Sequence, residues 1–161
     1  MNSFSLPFPR VPRPVALPLG LMPTRLHSKL LALMLNRAFA PELAAGDLDF
    51  LQQRVILIRV SDLGIRYRLT LQHGRLHPVP HYSHDLSIEG SVYDFLLLAS
   101  RREDPDTLFF NRRLRLGGDT GLGLYVKNFL DSLELDGRLG PLQSSLDIIA
   151  QLMGRLPARQ V

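Results

Sequence analysis

The stretch DLSIEGSVYDFLLLASRREDPDTLFFNRRLRLGGDTGLGLYVKNFLDSLEL, residues 85–135, decides how this chain folds. It opens on Leu86 and Ile88 in alternation, the period of a short strand. Ser91 then caps a helix carrying Val92, Phe95, Leu96 and Ala99. Asp104 and Pro105 begin a shorter helix with Leu108 and Phe109, after which Leu114 and Leu116 alternate with Arg113 and Arg115 in a strand. From Asp119 onward Leu122, Val126, Phe129 and Leu133 make an apolar stripe at helical spacing, widened by Tyr125 and Leu130. Strands and helices thus alternate within one segment.

Working outward, Thr24 is positioned to cap a helix in which Leu26, Leu30, Leu33, Met34 and Phe39 recur, ending before Pro41. Gly46 and Asp47 open a short helical turn through Leu51. Val55 to Val60 is β-branched and nearly all apolar, as a strand covered on both faces requires. Past the Asp62-Leu63-Gly64 turn, Ile65, Tyr67, Leu69 and Leu71 alternate with Arg66, Arg68, Thr70 and Gln72, which predicts a hairpin with one wet face. Gly74 marks a further turn before a proline-interrupted segment at 75–80. Beyond the GRLGP break at 137–141, a last helix carries Leu142, Leu146, Ile149 and Met153 on one face and Ile148 and Leu152 on another, so both faces are expected to be buried. The sheet is expected to be mixed, with no internal repeat and no second domain.

A chain of 161 residues supports a single core, burying roughly 70% of the surface its unfolded form exposes. With 45% hydrophobic and 21% charged residues, collagen-like, coiled-coil and wholly disordered classes drop out. No apolar run approaches the roughly 18 residues of a spanning helix. The absence of cysteine excludes disulfides, thiolate zinc sites, cysteine-ligated iron–sulfur clusters and thiol nucleophiles, and suits a reducing cytosol.

Charge is unevenly spread. Arg10, Arg13, Arg25, Lys29 and Arg37 all precede the first acidic residue, Glu42, so residues 1–41 carry +5 and the rest −1. Six of the 12 prolines fall within residues 1–23, where no helix persists, so this segment is expected to be an arm and residues 24–161 the folded domain. The cationic arm and the helix after it are candidates for contact with anionic lipid headgroups, at about 1 kcal/mol per basic residue. A dense basic stripe with stacking aromatics is missing from the sequence, which argues against nucleic acid as a partner.

Motifs for chemistry are weak. The string GGDTGLG, Gly117 to Gly123, is spaced unlike a dinucleotide loop and puts Asp119 where a pyrophosphate would sit, so it reads as an N-cap with close backbone packing. His73, His77, His81 and His84 crowd together, but Pro78 and Pro80 forbid the helix that zinc binding at that spacing needs. No GxSxG elbow is present. These readings leave no catalytic residue, no metal site and no cofactor. The Phe109–Phe110 pair beside Arg112–Arg113 is the more suggestive feature, since it sets phosphate-capable forks next to apolar rings, the contrast that an amphiphile presents.

The 85–135 run resembles the sterol carrier protein type 2 lipid-binding domain, through Ile88, Gly90, Phe110, Leu114, Leu116, Gly118, Asp119, Gly121 and Leu122, over about residues 45–155. More narrowly, FFNRRLRLGGDTGLGLYVKNFLDSLEL is similar to the small bacterial branch of accessory factors for oxygen-independent ubiquinone biosynthesis; Gly117 departs from the larger residue often found there. The resemblance implies an α/β (α+β) fold: a mixed, largely antiparallel sheet of about five strands, covered by helices that enclose an apolar tunnel. It further implies a non-catalytic, cytoplasmic lipid-binding factor, peripheral at the inner face of the membrane. Such a factor holds isoprenoid-quinone intermediates or phospholipid and presents them to the ring-modifying hydroxylases and other enzymes of the pathway.

On that basis Phe95, Leu122, Val126 and Phe129, with Ile148 and Leu152 on the last helix, are expected along the tunnel wall, joined by Phe109 and Phe110. Arg112, Arg113 and Lys127 are expected at the headgroup end. Burying a 16-carbon chain is worth roughly 12 kcal/mol at about 0.8 per CH2, but a bilayer offers nearly the same, so extraction depends on headgroup contacts and docking. The competing classes are an enzyme acting on a lipidic or acyl substrate and a pure interaction module.

Overall fold

The computed structural model describes residues 23–80, 83–134, 138 and 140–155. The proline-rich arm, apart from Pro23, lies outside the described residues. Helix α1 (Thr24–Ala38) runs into a short α2 (Ala40–Ala45), and a 3-10 turn (Asp49–Leu51) leads into the sheet. There β1 (Val55–Val60), β2 (Ile65–Gln72) and β3 (Arg75–Pro78) form an antiparallel meander. β4 (Leu86–Gly90) returns parallel to β1, helices α3 (Val92–Ala99) and α4 (Pro105–Phe110) follow, and β5 (Arg115–Gly118) pairs antiparallel with β4. Helices α5 (Thr120–Ser132) and α6 (Pro141–Gly154) complete the described chain. The spatial order is β3-β2-β1-β4-β5, an open five-stranded sheet.

Register and pleat sort the residues. Ile56, Ile58 and Val60 stand beside Leu86, Ile88 and Gly90, and Leu116 lies across from Ile88, so these share one face. That face is covered by α1, the 3-10 turn and α5, whose Ala38, Leu51, Leu122, Val126 and Phe129 are buried with Ile56, Leu86 and Ile88. The Phe129 ring takes Phe39 edge-on at 5.2 Å. Two smaller clusters join α3 to α6, through Leu96, Ala150 and Met153, and α3 to α4, through Leu97, Leu108 and Leu114.

Local signals act as expected at most element ends. Ser91 and Asp94 form a reciprocal capping box on α3, Asp104 accepts the Thr107 N–H, and Asp119 accepts the Leu122 N–H at 3.0 Å. Gly118 is required by geometry: its φ is +100° and a Cβ there would stand 2.3 Å from the Asp85 carbonyl oxygen. Three expectations are corrected. Thr24 is not a cap but the first helical residue, preceded by Pro23. Helix α6 does not bury both apolar faces: Ala150 and Met153 face inward while Ile148 and Leu152 are exposed, because α3 offers it a single groove. Likewise on α1, Leu26, Leu30 and Leu33 point outward, since Ala32, Ala38 and Leu35 make the inward face.

The two sheet edges differ. At β3, the Asn36 side chain donates to the Leu76 carbonyl and accepts from the Leu76 N–H, both at 2.8 Å, so a carboxamide of α1 takes the place of another strand. At β5 the outer edge faces α4 and α5 across a cleft. Asn36→Ala is therefore expected to destabilise the domain by about 1–3 kcal/mol, from two buried main-chain groups left unpaired, read as a lowered denaturant midpoint. Unchanged stability would show that the edge is held by α1 packing alone.

Asp85 ties β1, β4 and β5 together. Its carboxylate accepts the Val55 N–H at 2.7 Å and a guanidinium N–H of Arg54 at 3.1 Å, while its main-chain carbonyl accepts the Asp119 N–H at 2.9 Å. The Val55 hydrogen bond, aided by Arg54, lowers the Asp85 pKa below the ordinary 3.8. A lowered carboxylate pKa adds stability that is present above the unfolded value and lost as pH falls through the folded one. Asp85→Asn is thus expected to narrow the gap in denaturant midpoint between pH 7 and pH 3, approximate values chosen to bracket that carboxylate range.

Candidate functional site

The edge of β5 opens on a cleft of about 810 Å³ lined by Phe109, Phe110, Arg112, Arg115, Leu116 and Lys127. A second cleft of about 270 Å³ shares Leu116 and Lys127 and continues along Gly117, Gly123 and Leu124 to Leu86. The pair forms an open groove between the last strand and the helices α4 and α5. Its walls are apolar where Leu86 and Leu116 meet α5, and basic at the α4–β5 turn.

Each part follows from local sequence. Helix α4 is short because Pro105 starts it and the chain turns at Asn111, with Arg112 at φ +56°. That left-handed residue leaves the Arg112 side chain exposed, and its carbonyl accepts the Arg115 Nε–H at 3.3 Å. Phe110 is 88% exposed, whereas Phe109 packs partly against the Leu97, Leu108 and Leu114 cluster. Lys127 donates to Asp106 at 2.8 Å, and that hydrogen bond with the carboxylate's charge raises the ammonium pKa. Three cations against one carboxylate leave the mouth of the groove positive.

Gly123 sets the depth. A Cβ there would lie 3.5 Å from methyl carbons of both Leu86 and Leu116, ordinary contact, so a larger side chain would project into the groove. Below the groove the interior is filled: Leu122, Val126 and Phe129 are buried with Leu35, Phe39 and Phe50 packed around them. Among the described residues the space under α5 is therefore closed by side chains of α1 and the 3-10 turn. The candidate site among the described residues is a groove open at the β5 edge, where the resemblance implied an enclosed apolar tunnel.

A model of the SCP-2 sterol transfer family matches residues 33–131. The chain belongs to that family. Ubiquinone biosynthesis accessory factor UbiT of Escherichia coli strain K12 is 38% identical over 125 residues, spanning 78% of this chain and 72% of that protein. The UbiT of Escherichia coli O157:H7 matches to the same extent. Among solved structures, a UbiJ-SCP2 ubiquinone synthesis protein aligns at a TM-score of 0.54 and 16% identity, over 68% of this chain and 96% of that one, which shows a common fold.

Within this SCP-2 domain the residues singled out from sequence go to three places. Phe109, Phe110, Arg112 and Lys127 meet at the larger cleft. Leu122, Val126 and Phe129 are core, and Phe95 is half-buried between the central cluster and the α3–α4 one. Ile148 and Leu152 lie on the outer face of α6. Arg113 is turned away from the cleft: its Nε–H donates to an Asp94 oxygen at 2.8 Å, a terminal guanidinium nitrogen stands 2.6 Å from the same oxygen, and the guanidinium lies 5.5 Å from the centre of the Tyr93 ring. The other Asp94 oxygen accepts the Ser91 N–H and hydroxyl, so the pair fixes the α4–β5 turn to the start of α3. Arg115, Leu116, Gly123 and Leu124 were not legible as site residues. The alternation of Leu114, Arg115 and Leu116 was the available signal, but it marks faces of a strand, not which edge is free.

Arg113→Met would leave the Asp94 carboxylate buried without its cation, and is expected to cost about 3–5 kcal/mol in unfolding free energy. The double variant Asp94→Asn/Arg113→Met is expected to recover most of that loss in the same denaturation experiment. A single variant as stable as the parent would remove the pair from any structural role.

Proposed function

We propose that this protein is a non-catalytic lipid-binding accessory factor of ubiquinone biosynthesis. It takes an isoprenoid-quinone intermediate or a membrane phospholipid along the β5 groove and presents it to the ring-modifying enzymes of the oxygen-independent route. The observation that carries this reading is the groove itself, which sets Phe109, Phe110 and Leu116 beside Arg112, Arg115 and Lys127. Apolar walls suit a hydrocarbon chain and the basic mouth suits a headgroup bearing negative charge or a polar ring. Membership of the SCP-2 family and the relatives named as ubiquinone biosynthesis factors support the same reading.

The exposed apolar groups supply the contact with a bilayer. Leu26, Leu30 and Leu33 lie on the outer face of α1, with Arg25, Lys29 and Arg37 also exposed and no acidic residue on the helix. Apolar insertion flanked by cations is how an interfacial helix rests on anionic lipid. No helix of the described residues is long and apolar enough to cross a membrane. Helix α1 packs over β2 and β3, and the groove opens at the β5 edge with its Leu116 wall on the same side of the sheet as α1.

Organic extraction of the purified protein, followed by mass spectrometry, is expected to recover a polyprenyl or diacyl lipid. Gly123→Leu is expected to lower its yield several-fold, while Gly123→Ala, which adds only a contact at van der Waals distance, leaves it unchanged. An empty extract, or equal yields from Gly123→Leu and parent protein of equal stability, would overturn the groove as the lipid site.

A further inference from the structure

We propose that the sheet face turned away from the helices is a docking surface for an acidic segment of a partner protein. By the pleat, this face carries Arg59 of β1, Arg66 and Arg68 of β2 and Arg75 of β3, since their register partners are Arg66 for Arg59, Leu57 for Arg68 and Gln72 for Arg75. Scattered along the chain, these arginines converge because the β1-β2-β3 meander lays them side by side. Along β2 the row spans roughly 20 Å at about 3.3 Å per residue. The carboxylate in this row is Glu89, 3.4 Å from Arg59. The face is therefore strongly positive.

Its chemistry points to a protein partner. Arg66 and Arg75 are exposed, while Arg59 and Arg68 are half-buried with their Nε atoms shut off from solvent. Leu57 and Thr70 between them are buried, so what this part of the face offers a partner is the exposed Arg66 and Arg75, with no apolar group for insertion into a bilayer. The exposed leucines of α1 and the groove's Leu116 are on the opposite side of the sheet, which leaves the row pointing away from a membrane docked through α1, while Arg115, across from Glu89, carries the row to the groove mouth. Tyr67, the aromatic residue of β2, lies on the helix side opposite Ile58, so the row lacks the stacking platform of a single-strand binder. Planar forks in a row instead match the carboxylates of an acidic segment, in a contact that is fast and salt-sensitive. The row reaches the groove at Arg115, but Arg66 and Arg75 lie outside the groove's lining, so the proposal stands whether or not the groove holds lipid.

The test uses the full chain and a fluorescein-labelled 15-residue oligoglutamate peptide, an arbitrary length of roughly 50 Å when extended, with anisotropy read at low and high salt. Arg66→Glu/Arg75→Glu is expected to weaken binding at least tenfold at low salt. Arg25→Glu/Lys29→Glu, with the same change in net charge on α1, is expected to keep it. Circular dichroism checks that both variants are folded, and Arg66→Ala/Arg75→Ala, which introduces no new charge, is expected to give a smaller loss at the same site. Equal weakening by both charge reversals, or no peptide binding by the parent, would overturn the proposal. So would tighter, Arg66-dependent binding of an oligonucleotide or of phosphatidylglycerol vesicles than of the peptide.

Discussion

The architecture depends on the junction at Asp85. Three segments far apart in sequence meet there: the start of β1 through Val55, the start of β4, and the end of β5 through Asp119. The carboxylate and the carbonyl of one residue accept N–H groups from two of them, and Gly118 is the only residue type that lets β5 come so close to that carbonyl. Because Asp119 also caps α5, the hydrogen bond that closes the sheet also sets where α5 begins. The direction of α5 over the sheet, and hence the groove between it and β5, follows from that one crossing.

The sheet is open, so both edges had to be managed. One is closed by Asn36, a side chain imitating a strand's N–H and C=O in a single amide. The other is left beside a groove, shielded only by the shortness of β5 and the flanking α4 and α5. Phe39, Phe50 and Phe129 pack together under α5, and at the edge an apolar wall and cations lie side by side.

Arginine serves three separate roles. Arg113 is spent inside, neutralising Asp94 and fixing the turn that carries Arg112 and Arg115. Those two stay at the groove mouth. The row from Arg59 to Arg75 lies on the sheet face away from α1 and α5 and reaches Arg115 through Glu89. A net charge near zero beyond residue 41 conceals this division, since the acidic residues sit elsewhere on the surface or pair locally, as Asp106 does with Lys127.

Sequence alone determined the elements whose signals are local. The Val55–Val60 and Ile65–Gln72 strands follow from β-branched and alternating residues, and the starts of α3, α4 and α5 follow from Ser91, Asp104 and Asp119 as caps. The Phe109–Phe110 and Arg112 cluster was legible because its parts are neighbours in the chain. What the tertiary structure decided was which faces meet. Helical periodicity marks one apolar stripe on α1 and two on α6, but only the docking partner selects Ala32 and Ala38 over Leu30 and Leu33, or Met153 over Leu152. Likewise nothing near Arg113 in sequence announces Asp94, nineteen residues upstream. The arginine row exists only through strand register. Spacing along a chain specifies direction relative to one element's own axis, and contact between elements requires a second axis that no local pattern contains.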